Sequence, residues 1–282
     1  MDTAQFEVSE DIRQSNAYGN YIEDIGWRVV KTPETGVAIF LRKLGPMKIA
    51  KAQRFKKMPT VHELISVLEK NRVFMCKLEP SEKFDKVGLE QATKLGFRID
   101  KWPLLGTKTL RVDLRGDTED IEASFKKDAR YCIRQAQKEV ETVVFGQADL
   151  FYSIWKRAGK NKGLWIPPLS EYKSLISRFD KNCLITTIGE SSGCLVLLHK
   201  GTAFYYYSAA LPEAKKKQLP YLTVWESMKA AKKRGCVVWD FEGIYDPRWP
   251  NKGWLGFTHF KKSFGGLEIE YPGSYSKWRW PF

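Results

Sequence analysis

Apolar positions along this chain recur at two spacings, and those spacings predict its elements. Val61, Leu64, Ile65 and Leu68 lie three and four apart behind Pro59-Thr60, which predicts a helix opened by that pair. Residues 9–25, closed by Gly26, and residues 87–95, stopped by Gly96, read as further helices. Strands are expected at 27–32, 36–44, 73–78 and 109–114, with a basic connector over 54–59. The turn Trp102-Pro103-Leu104-Leu105-Gly106 looks like the wall of a cleft or a domain seam. The second half opens at Gly116-Asp117-Thr118, where Glu119 and Asp120 suit a first turn. Ile121, Phe125, Cys132, Ile133 and Ala136 predict the buried face of that helix. A strand at 139–145 and helices at 149–158 and 170–179 follow, then strands at 183–188, 194–199 and 203–210. Helix 222–233 ends at Gly235; strand 236–241, helix 257–264 and strand 267–271 complete the order.

That second-half order, strand–helix–helix–three strands–helix–strand–helix–strand, resembles an acyltransferase of the GNAT type, with a mixed sheet between helices. The first half shows a looser version of the same alternation. The expected class is α/β (α+β): two tandem GNAT-like domains at 1–115 and 116–271, with 272–282 returning as an edge strand of the first. A length of 282 residues accommodates both.

Composition narrows the partners. Lys and Arg total 47 against 33 Asp and Glu, a net charge of +14 that points to an anionic partner. No acidic residue occurs between Glu34 and Glu63, where seven basic residues do, and Lys126, Arg130, Arg134 and Lys138 recur every fourth position. Such concentrations suit RNA or a diphosphate-bearing ligand, and charge alone does not choose between them. No apolar run approaches the ~20 residues of a spanning helix. The acidic, polar start lacks the form of a secretory signal, so a soluble cytoplasmic protein is expected. Five cysteines without a CxxC pair and three scattered histidines predict neither a disulfide framework nor a metal site.

The densest candidate chemistry runs from Trp239 to Gly266. Asp240-Phe241-Glu242-Gly243 ends a predicted strand, where open α/β sheets hold ligands. Gly256, Phe260-Lys261 and Phe264-Gly265-Gly266 follow at the spacing G-x-x-x-F-K-x-x-F-G-G. Acetyl-CoA enzymes of this layout grip pyrophosphate with a (Q/R)xxGx(G/A) turn. The equivalent segment, 211–222, has no such glycine pair, which weakens acyl-CoA use.

The pattern around Asp240 and Lys261 resembles the FemABX family of aminoacyltransferases, which build peptidoglycan interpeptide bridges from aminoacyl-tRNA. Gln14-Ser15, Tyr18 and Gly26-Trp27 are similar to that family's opening, with Tyr at its first Trp place. Thr109–Leu114 with Arg130–Ala136, Tyr205, Tyr207, Ser208 and Ala209, and Pro220, Trp225 and Gly235 continue the resemblance in order. No long helical insertion is present. Members often carry an Arg four residues before a Tyr that contacts acceptor diphosphate; here Pro168 precedes Tyr172.

The resemblance implies transfer from aminoacyl-tRNA to the peptide of a muropeptide precursor, UDP-linked or lipid-linked, with no cofactor; a monomer is expected. It implies Lys261 as the cation that steadies the oxyanion and Phe260 as a wall of the tRNA 3′-end pocket. Read from periodicity alone, Lys261 is an ordinary lysine on an amphipathic helix. Asp240 or Glu242 could take a proton from the attacking amine, and Asp240 could equally cap a turn. Tyr205 and Tyr207 are expected on one sheet face, as a binding wall or packed core, and Tyr172 as an acceptor contact. Lys126, Arg130, Arg134 and Lys262 are candidate tRNA contacts. Trp278, Trp280 and Phe282 alternate with Lys277 and Arg279, which suits an edge strand, or an anchor at the inner membrane face. An acyl-CoA N-acyltransferase and a non-catalytic RNA-binding module remain as alternatives.

Overall fold

Capping residues divide the first expected helix. Asp11 and Ser15 both take extended backbone, so residues 9–25 form a single 3-10 turn (Ile12–Gln14) and then α1 (Asn16–Asp24). The computed structural model describes residues 6–84, 86–140 and 142–279; Trp280 and Phe282 lie outside them. β1 (Arg28–Lys31) and β2 (Ala38–Leu44) fall where expected. β3 (Met47–Gln53) has no counterpart in the sequence reading, because its inward residues are the small Ala50 and Ala52 between polar neighbours. α2 (Val61–Lys70) starts at a capping box in which Thr60 and Glu63 each accept the other's backbone N–H. β4 (Val73–Glu79), α3 (Lys86–Lys94) and the short β5 (Arg98–Ile99) follow.

The larger set begins with β6 (Lys108–Asp113). The single helix expected after Gly116 is two, α4 (Thr118–Ala123) and α5 (Lys127–Lys138), because Lys126 turns extended and donates its N–H to Ser263 O at 2.8 Å. β7 (Val143–Phe145), α6 (Ala148–Lys160), α7 (Leu169–Phe179), β8 (Cys183–Ile188), β9 (Ser192–His199) and β10 (Thr202–Ala210) then match the expected order. A short α8 (Pro212–Lys216) precedes α9 (Leu219–Lys233). β11 (Val238–Asp240), α10 (Leu255–Lys262), β12 (Leu267–Glu270) and β13 (Tyr275–Trp278) end the chain.

Two mixed sheets result, ordered β1-β2-β3-β4-β13-β5 and β12-β6-β11-β10-β9-β8-β7. β13 returns to the first sheet, but as an interior strand antiparallel to both β4 and β5. The expected edge position is corrected by β5, whose two residues pair outside it. The chain divides into two compact units. One takes the chain up to Glu10, Thr109–Ile244 and Gly253–Glu268; the other takes Asp11–Lys108, Tyr245–Lys252 and the chain from Ile269. Residues 109–115, read from the sequence as the end of the first domain, lie in the larger unit, where β6 pairs with β11.

In the larger unit, α5 and α9 pack through Ala129, Ile133, Leu222 and Trp225 over the face that carries Val196 and Tyr205. α6 covers the other face, with Phe151 close over Gly193. The smaller unit has its own core of Ile39, Leu41, Phe55, Leu64, Leu78 and Phe97. Five free cysteines, Cys76, Cys132, Cys183, Cys194 and Cys236, are buried or half-buried. No described helix is long and apolar enough to cross a membrane.

Candidate active site of the larger unit

Two neighbouring strands part company at the centre of the seven-stranded sheet. β11 runs parallel to β10 only from Thr202↔Val238 to Phe204↔Asp240 and then stops. β10 continues to Ala210 paired with β9, and a bulge at Tyr206 shifts its register by one residue. Side chains alternate along a strand, so one inserted residue reverses which face the later ones occupy. Tyr205 therefore lies in the α5–α9 core against Trp239 and Phe241, while Tyr207 packs tilted against Trp155 of α6, ring centroids 4.1 Å apart. The shared face expected for these tyrosines is corrected by the bulge.

A cavity of about 520 Å³ opens along this half of β10. Trp155, Tyr205, Tyr221, Phe257 and Phe260 form aromatic parts of its wall. Phe260 is held in place by Tyr221 and Phe264, at centroid distances of 4.8 and 5.4 Å.

Lys261 stands beside that wall. Its Nζ donates to Phe241 O and Gly243 O, each at 2.7 Å. It sits 4.9 Å from the Phe257 ring centre and 5.9 Å from that of Tyr205, both lining the cavity. An ammonium has three donors, and the two carbonyls use two. Burial pushes the Lys261 pKa down to about 8, against the opposing pull of the Glu242 and Asp240 carboxylates. The periodicity reading of a plain surface lysine does not describe this side chain.

The carbonyls that hold Lys261 are fixed by a buried ion pair. Asp240 accepts from Thr109 Oγ1 at 2.6 Å, Arg111 Nε at 2.8 Å and the Glu242 amide at 2.8 Å. Arg111 also donates to Phe6 O at 3.0 Å. Burial would raise the Asp240 pKa, but the Arg111 charge and these hydrogen bonds outweigh it and hold the carboxyl below its ordinary range. Thr109 and Arg111 are alternate residues of β6, a period-two signal that could have identified Asp240's partners. Glu242 is half-buried, with φ of +63°, in the turn that presents both carbonyls.

The glycines of the Phe264-Gly265-Gly266 run have a steric cause. Phe264 is fully buried against Phe125 and Tyr221. Gly265 and Gly266 take φ of +69° and +90°, and a Cβ on Gly266 would lie 2.3 Å from Arg111 O. This contact lets the chain turn from α10 into β12, next to β6.

Other expected residues lie elsewhere. Tyr172 is buried in the aromatic packing of α6 and α7, its hydroxyl donating to Ala148 O at 2.9 Å, and does not line the cavity. Lys126 and Arg134 are exposed and Arg130 is half-buried along α5; Lys126 meets the end of α10 through Ser263. Lys262 pairs with Glu268. Among the described residues no three His, Cys, Asp or Glu side chains gather as a metal-ligand set. Two cavity-lining lysines, Lys162 and Lys215, were not singled out from the sequence, although Lys215 opens the Lys215-Lys216-Lys217 run in the segment read for a pyrophosphate turn.

Comparison with known proteins adds the following. Residues 169–281 match the FemAB family model. The crystal structure of FemX superposes at a TM-score of 0.76 with 14% identity, covering 95% of this chain and 92% of that one. L-PGS from Bacillus licheniformis gives 0.60 at 12% identity, covering 92% and 85%. A tandem GNAT protein from the clavulanic acid biosynthesis pathway gives 0.53 at 11% identity, covering 87% and 80%. At these identities the structural likenesses show the fold, a mixed α/β architecture shared with tandem GNAT proteins. No curated protein matches by sequence.

Proposed function

With the FemAB match over residues 169–281 and the FemX-like fold together supporting a FemABX family member, we propose that this chain is a peptidoglycan bridge-forming transferase. Its donor is an aminoacyl-tRNA and its acceptor the peptide amine of a peptidoglycan precursor. The observation that carries the reading is the half-buried Lys261 ammonium, held by two carbonyls beside an aromatic cavity. A tRNA donor sets the reaction on the cytoplasmic side of the membrane.

An aminoacyl ester is already activated, so the protein need only align the reactants and stabilise developing charge. The amine nitrogen bonds to the ester carbonyl carbon, whose oxygen becomes anionic. The third Lys261 N–H donates to that oxygen. The intermediate collapses as the carbon–ribose-oxygen bond breaks, and the amine's proton passes to the leaving ribose oxygen. Phe260 walls the cavity that receives the aminoacyl end. Asp240, already holding three donors, acts as a positioning residue: with Arg111 it fixes the turn whose carbonyls aim Lys261. The Glu242 charge favours the ammonium form.

The test is incubation with charged tRNA and muropeptide precursors, read by the mass of the extended peptide. Lys261→Met should still bind both substrates while turnover falls about 100-fold or more, as when an oxyanion donor is removed. Full turnover in that variant removes Lys261 from the mechanism.

A further inference from the structure

One part of the cavity wall is built for charge without the usual means. Helices at such a position present backbone amides to an anion. In α9, Pro220 has no N–H, the Tyr221 N–H is used by Gln218 O, and no glycine pair opens the turn. Two side chains stand there instead. Lys162, on the loop after α6, and Lys215, on α8, both line the cavity. No acidic residue lines it, and neither ammonium has a carboxylate partner among the described residues. Partial burial and the nearby Lys215 charge lower the Lys162 pKa, so the two cations repel each other. An anion that bridged them would remove that repulsion.

The same loop carries a second feature. Leu164 and Ile166 line the cavity, and Trp165 between them is 75% exposed. A large indole left in water three residues from one of a pair of cations is a combination by which proteins hold unpaired nucleotides: a ring for the base, ammoniums for the phosphates. A lipid-linked diphosphate would use the charges but not the ring. A nucleoside diphosphate would use both but gives no reason for a single-stranded overhang to bind better than a blunt end, which the test below separates. We propose that Lys162, Lys215 and Trp165 form a docking site for the single-stranded 3′ end of an RNA at the cavity mouth. Lys162 and Lys215 take its phosphodiesters and Trp165 stacks one base. The site rests on the donor reading above and specifies which part of the donor the loop grips.

The test uses an RNA minihelix with a four-nucleotide single-stranded 3′ end, against the same duplex made blunt. Wild-type protein should bind the overhang form about tenfold or more tightly than the blunt form. Trp165→Ala should lose most of that preference, given what stacking one base contributes. Lys162→Ala/Lys215→Ala should weaken overhang binding and make the slope of log K against log salt shallower by about 1.4, near 0.7 for each of the two lost phosphate contacts. All three positions are exposed, and melting temperatures within 2 °C or so of wild type would show that folding is intact. Equal binding of the two RNAs by wild type, or variants indistinguishable from it, overturns the proposal. Overhang preference with no amino acid transferred from any charged tRNA would sink the donor reading and leave the docking site standing.

Discussion

At the residue scale the informative feature is that Lys261 pays for its place in desolvation. Its pKa near 8 rather than the ordinary 10.5 means that the free protein loses the ammonium as pH rises through about 8. If the charge is what stabilises the oxyanion, kcat/KM should carry an alkaline fall near that pH. Lys261→Arg keeps its proton throughout, so whatever rate it retains should not show the fall. The acceptor amine titrates alike in both proteins, and an identical alkaline limb would refute the assignment. For stability the sign is opposite to that of a salt-bridged lysine. Between about 8 and 10.5 the unfolded chain holds the proton that the folded one has released, so this residue's contribution to stability rises with pH. Lys261 and Phe260 were legible as a motif. That Asp240 is tied to Arg111 and Thr109 was not, because these partners lie 129 and 131 residues away in sequence.

Among the elements, α10 and β12 depend on one glycine. Gly266 combines a φ of +90° with an approach to the Arg111 carbonyl that no side chain can share. Gly266→Ala should cost more than about 3 kcal/mol in denaturant unfolding, since backbone on both sides must move. Gly235→Ala is the control: its φ is +83°, but nothing lies within 4 Å, so only backbone strain remains. Equal losses in the two variants would show that the close approach is not what demands glycine. Elements with strong periodicity, such as α2, α7 and β8, were readable from the chain. β3 was missed because Ala50 and Ala52 give almost no hydrophobic signal although both are buried. The Tyr206 bulge was missed because an inserted residue leaves composition unchanged while reversing every later side chain.

Across the whole molecule, chain order and spatial order differ most at the C-terminus. β13 fills the gap between β4 and β5, so the last strand completes a sheet begun by the first. Ending the chain after Glu270 should expose the β4 edge and raise amide exchange across β4 and β5 to near the unfolded rate. Native-like protection there in the truncated protein would contradict that role. By itself the amino-acid sequence determined the alternation of helices and strands, the basic character and the Phe-Lys and Phe-Gly-Gly spacings, because periodicity, charge and turn chemistry are local properties. Only the tertiary structure decided which carboxylate is locked in an ion pair and which tyrosine faces the core. It also decided where Lys162 and Lys215 converge, because such contacts join residues far apart in the chain, and no local pattern encodes their distance.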